Sequence, residues 1–273
     1  MDSNETITPT EGTNGENGEL NHSDKLIGVF TEPSNTFSIT SKFPPRSKDW
    51  FLPILFLLLA AALVQIILTN NEEIVFQAKQ KQMQKIEAQF DEAVKSGAMT
   101  REQANEQIDQ ISEQMDQGRG ATGMIIQILL LFVFGFLIFI IYSGIYFALS
   151  KAAFKGEGLF SSALVANGLA SYIGIIHIIL AAVLSLLLGR LIPYIDLTSI
   201  LDVERATFMG FLLGKVDPFS IWLYTVLGIG LSKMFHSTSP TKYIVMVMGV
   251  WVGITFLFFL LAQAVPLLQF FMQ

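Results

Sequence analysis

WFLPILFLLLAAALVQIIL, residues 50–68, contains one strongly polar side chain, Gln65, and no charge. From Phe51 to Leu68 an α-helix rises roughly 27 Å at about 1.5 Å per residue, which matches the hydrocarbon core of a bilayer. Trp50 stands at the aromatic interface position, and Lys42, Arg46 and Lys48 crowd the approach to it. Pro53 falls in the first turn, where a missing amide proton costs little. The stretch reads as a first transmembrane span over 50–68.

Similar stretches recur downstream. Spans are expected at 124–149, at 169–188 within an apolar run that begins at Leu159, at 219–235 and at 243–268, so that 124–273 forms a membrane domain. Between the third and fourth lie Pro193, Asp196, Asp202, Glu204 and Arg205, too closely charged for a span, although Phe208 to Leu213 has the apolarity to dip into the interface. The fold class predicted is all-α: a polytopic membrane helix bundle of about five transmembrane helices, with a soluble helical hairpin between the first two.

Composition agrees. The chain has 273 residues, of which 52% are hydrophobic and 15% charged, and 28 of its 40 charges fall in residues 1–49 and 69–123. An average soluble protein carries about 25% charged residues spread over its surface. No basic stripe suits nucleic acid, and the absence of cysteine removes disulfides and thiolate chemistry. About fifty polar residues precede the first span, so it is expected to stay in the mature protein instead of serving as a cleaved leader.

Residues 1–24 are rich in Asn, Glu, Gly, Thr and Ser and read as a disordered acidic tail. The juxtamembrane segment 25–49 spaces Leu26, Ile27, Val29, Phe30, Phe37 and Ile39 among polar residues, the pattern either of a short surface helix or of an ordinary linker. In the 69–123 hairpin, Met83, Ile86, Phe90 and Val94 form one apolar stripe, and Ala104, Ile108, Ile111 and Met115 form another. Ser96-Gly97 supplies the turn, and Thr100 with Gln103 forms a capping box.

Candidate chemistry begins with polar groups inside spans. His177 is the only ionisable residue deep in one and has no carboxylate near it in sequence; Asn167, Ser171 and Gln263 join it as a candidate polar intramembrane site. Each serves equally well as interhelical hydrogen-bond glue. Small residues at four-residue spacing, Ala166, Ala170 and Gly174, then Gly228 and Ser232, then Gly249 and Gly253, are candidate helix-packing faces. His22, His177 and His236 lie in different segments, so no metal site, catalytic residue or cofactor is predicted.

Val216-Asp217-Pro218-Phe219-Ser220-Ile221-Trp222, followed by Leu227-Gly228-Ile229-Gly230-Leu231, resembles the "D-x-F-x-x-W, then small-glycine" helix opening of the Yip domain family, the Ypt/Rab-GTPase-interacting proteins and their prokaryotic relatives. Phe30-Thr31-Glu32-Pro33-Ser34-Asn35-Thr36-Phe37 ahead of Trp50 is similar to the "F-x-x-P-x-x-T-F" opening of bacterial members. The resemblance covers 26–68 and 124–268 in outline, whereas the 69–123 hairpin departs from the family's shorter loop.

It implies an integral membrane protein without catalytic residues, with about five helices and a cytoplasmic N-terminus, and it marks Asp217, Phe219 and Trp222 as motif residues. Eukaryotic members are tied to vesicle traffic; prokaryotic members have no settled role, and this chain looks prokaryotic. The density of cations on short loops agrees with an N-terminus inside. The expected location is the bacterial cytoplasmic (inner) membrane with the C-terminus outside. Expected partners are the lipid bilayer and a second copy or another membrane protein, and no nucleic acid. The expected function is a non-enzymatic scaffold or adaptor; a small transporter or channel lined by Asn167, His177 and Gln263 is the alternative.

Overall fold

The computed structural model describes residues 18–118 and 120–264. Every regular element in them is helical: α1 (His22–Thr31), α2 (Pro33–Thr40), α3 (Lys48–Thr69), α4 (Glu72–Lys95), α5 (Arg101–Gly118), α6 (Ala121–Ala152), α7 (Phe160–Leu188), α8 (Leu197–Leu201), α9 (Phe208–Leu213), α10 (Pro218–Met234) and α11 (Pro240–Ala264). Four of these, α3, α6, α7 and α11, are long and apolar enough to cross a membrane. The seventeen-residue α10 is the fifth apolar helix of the bundle. The protein is an all-α polytopic membrane helix bundle with an extramembrane hairpin, α4 and α5, between its first two long helices.

The centre is α7, an unbroken helix of 29 residues. Its first third, the part of the apolar run that precedes the expected span, is buried in protein: Ala163, Val165, Ala166, Leu169 and Ala170 are all fully covered. Parallel α3 lies along it. Trp50 backs onto Gly168, and Leu57 lies 3.3 Å from where a Gly174 side chain would begin. Helix α10 packs antiparallel to α7 and crosses α11 where the Gly228 backbone meets Ile244, at 2.6 Å from a built Cβ to the Ile244 Cα.

Asp217, at the start of α10, lies beside His177. His177 is about 16 Å below the end of α7 by helical rise. Helix α10 therefore starts inside the bundle, and residues 189–217 fold back into it. Helix α9, read as an interface element, packs on α11 through Phe211, whose ring is 5.4 Å from Phe256 and 5.2 Å from Phe259.

Helices α1 and α2 occupy the juxtamembrane segment. The expected disordered tail is corrected at its C-terminal part, where α1 starts at His22 and Asn21 caps it by accepting from the Asp24 amide; residues 1–17 of that tail lie outside the described residues, as do 265–268 of the last expected span. The pair fills a furrow of the bundle with Val29 and Phe37, both fully buried. Close approach is enabled by glycine: Phe37 lies over Gly230, its Cζ 2.8 Å from where a Cβ would sit.

The hairpin is built as its stripes dictate. Ile74, Ile86 and Ala104 are buried, Gly97 turns the chain at φ +76°, and the capping box forms, with Thr100 N–H donating to Gln103 Oε1 at 2.9 Å and Gln103 N–H to Thr100 Oγ1 at 3.2 Å. Lys79 ties α4 to α5 through Asp116 at 2.6 Å. The hairpin rests on the folded-back loop, with Lys81 3.5 Å from Asp202 and Lys85 3.4 Å from Glu204.

Candidate functional site

Asp217 caps α10, accepting from the Phe219 amide at 3.0 Å and from the Ser220 hydroxyl. Because α10 begins deep in the bundle, this cap brings a carboxylate to His177: Asp217 Oδ2 lies 3.6 Å from His177 Nε2. The fold thus supplies the carboxylate neighbour that the sequence does not place near His177, at 3.6 Å and without a hydrogen bond to the neutral ring. The imidazole Nε2 accepts from the Ile195 amide at 3.3 Å, which leaves Nδ1 to carry the proton of the neutral ring. Phe219 stacks on the ring at 5.3 Å with 11° between planes. His177 is closely packed and pins three segments together: α7, the loop at Ile195, and the head of α10.

The other polar candidates are dispersed. Asn167 donates to Ser143 of α6 at 2.9 Å, Ser171 to the Gly168 carbonyl at 2.6 Å, and Gln263 to the Ala206 carbonyl at 2.6 Å. No bond joins any of them to His177 among the described residues. The small-residue faces divide as well. Ala166, Ala170 and Gly174 face α3 and the core, and Gly228 and Ser232 lie buried at the α10 junctions. Gly249 and Gly253 have open space where their side chains would be, within 4 Å, and lie beside exposed Val245, Val252 and Phe256.

Two polar clusters escape sequence reasoning. At the N-terminal end, Asp49 accepts from Lys25 at 2.6 Å and pairs with His22 Nδ1 at 3.2 Å, while His22 Nε2 meets the Tyr172 hydroxyl of α7 at 2.7 Å. Glu19 completes the clasp with Lys25 at 3.4 Å and with Arg46. At the opposite end, Asp196 receives a bidentate Arg205 pair at 2.7 and 2.9 Å and the Ser199 amide at 2.9 Å. Burial pushes the Asp196 carboxyl up, but Arg205, Thr198 and the Ser199 amide outweigh it and hold the group below the ordinary carboxylate value. Lys215 lies 5.0 Å from the centres of the Phe211 and Trp251 rings, and burial, then the Arg205 charge, depress its amine. The Asp-Leu-Thr-Ser order at 196–199 was the available signal, an N-cap followed by its amide donor.

The residues of the two quoted motifs meet. Trp222 packs against Phe30 at 5.8 Å between ring centres, and Phe37 lies over Gly230. Pro33 opens α2, and Thr36 donates to the Glu32 carbonyl while abutting Gly28. Phe219 reaches the other way, to His177. A family model described as the Yip1 domain matches residues 27–262. No curated protein and no solved structure gives a significant match.

Proposed function

Because the chain belongs to the Yip1 domain family, whose model runs from the middle of α1 through most of α11, we propose that it is a non-enzymatic scaffold or adaptor of the membrane. The observation that carries this is the meeting of the two motifs. Phe30, Phe37, Trp222 and Gly230 build a joint between the N-terminal helices and α10, and Phe219, stacked on His177, joins that helix to α7. These residues hold segments together.

The chain is a prokaryotic inner-membrane protein with its N-terminus cytoplasmic and its C-terminus outside. Supporting the orientation are Lys151, Lys155, Lys233 and Lys242 on two short loops and Lys42, Arg46 and Lys48 before α3. Its partners are the bilayer and a second copy of itself, which docks along α11 over Gly249 and Gly253. Open space at Gly249 means that Gly249→Ile fits the single chain without a clash. The expected outcome is a weakened oligomer with an intact bundle, read by cross-linking in detergent; the same cross-linked species in both forms would exclude the dimer.

A second function, a small transporter, is favoured by one observation, the His177–Asp217 contact within the bundle. Solute flux in proteoliposomes that His177→Leu abolishes at equal expression would establish it, and no flux across a broad solute panel would remove it.

A further inference from the structure

The loops α6–α7 and α10–α11 interlock at one end of the bundle. The Glu157 amide donates to the Phe235 carbonyl at 3.3 Å, Phe154 packs on Tyr243 at 4.8 Å between ring centres, and the Lys242 amine lies 5.6 Å above the Phe154 ring. Two short loops thereby make one surface bearing Lys151, Lys155, Lys233 and Lys242, with Glu157 as its one carboxylate. None of the four lysines forms an ion pair among the described residues.

Helix dipoles account for half of this charge. Lys151 and Lys233 occupy the last turns of α6 and α10, where a cation is favoured. Lys155 and Lys242 have no such support. Lys155 projects from a loop at φ +53°, and Lys242 sits in the first turn of α11, the end at which a cation is disfavoured. Both are exposed, as are the adjoining apolar Leu159 and Phe160, which border the same surface at the foot of α7. Cations at the ends of apolar helices, beside exposed apolar side chains, lie at headgroup depth.

We infer that the joined α6–α7 and α10–α11 loops form a binding site for the phosphate of an anionic phospholipid headgroup, with Lys155 and Lys242 as its principal cations and Leu159 and Phe160 seated against the acyl chains. This requires only that α6, α7 and α11 cross the membrane; it depends neither on the scaffold function nor on which side the loops face.

The test uses the full-length protein in nanodiscs of phosphatidylglycerol mixed with phosphatidylcholine, with retained lipid read by native mass spectrometry. Lys155→Asn with Lys242→Gln keeps both backbones at ease, since Asn tolerates the left-handed region. Wild type retains phosphatidylglycerol preferentially, and the double variant loses roughly tenfold or more of that preference at about 1 kcal/mol per lysine. A control variant, Lys95→Gln on the hairpin, keeps it. Unchanged preference in the double variant, or equal retention of phosphatidylcholine by wild type, overturns the site. Inorganic phosphate that stabilises the delipidated protein as strongly as phosphatidylglycerol does would place the anion in solution and overturn the lipid assignment.

Discussion

Lys25 is 1% exposed, and its ammonium lies between Asp49 and Glu19. Removing one member of a buried pair leaves an uncompensated charge and costs about 3–5 kcal/mol, whereas removing both is often nearly neutral. Lys25→Met is therefore expected to lower the thermal midpoint in detergent more than Lys25→Met with Asp49→Asn does. The reverse order would show that His22 alone satisfies Asp49. None of this clasp was legible in the sequence, because residue 22 meets residue 172 only after α7 has formed and α1 has docked. Asp217 was different: Asp-Pro before an apolar run announces a helix start. What the run could not reveal was depth, and depth is what puts that carboxylate beside His177.

Among the elements, the long apolar helices and the hairpin were readable from period and length, since each signal is local. The loop from 189 to 217 was not, because its charges suggested water, whereas the fold buries Asp196 and Asp217 and leaves Asp202 and Glu204 exposed. Asp196 shows how: Arg205 cancels its charge and Thr198 and Ser199 fill its remaining lone pairs. The sign of its pH dependence follows. A carboxyl held below its unfolded value of about 3.9 contributes stability that is fully present above that value and is lost as pH falls through the folded value. Hydrogen-exchange protection of the Ser199 amide, corrected for intrinsic rate, should stay level from neutral pH down to about 4 and fall only below it. Asp196→Asn should lower that protection at neutral pH, the two proteins converging once the wild-type carboxyl is protonated; equal protection in wild type and variant at neutral pH would show that the charge does not hold the loop.

At the scale of the molecule, the order of crossings decides which face each polar block meets. The proposed topology, five crossings with the N-terminus inside, would place the hairpin and the C-terminus on the outer side and the joined lysine loops on the inner side. Reporter fusions after Leu68 and Gln273 should both report the outer side, and a fusion after Lys155 the inner side; a cytoplasmic signal from either of the first two breaks this arrangement. The sequence left this to the density of cations, because raw counts balance. The fold adds that the two polar ends of the bundle are anchored differently: one by α1 and α2 wedged into the bundle, the other by a hairpin laid across a loop.

That hairpin has a mechanical consequence. Helix α4 is hinged to α3 at Asn70 and Asn71, bears on the loop at Lys81 and Lys85, and ends at Lys95. Its tip stands roughly 36 Å from the hinge, and Lys81 about 15 Å, by helical rise. The hairpin is a lever with its load inboard of its handle, so a pull at the tip is multiplied about 2.4-fold at the Lys81–Asp202 contact and about 1.7-fold at Lys85–Glu204, on the same segment whose Ile195 amide grips His177.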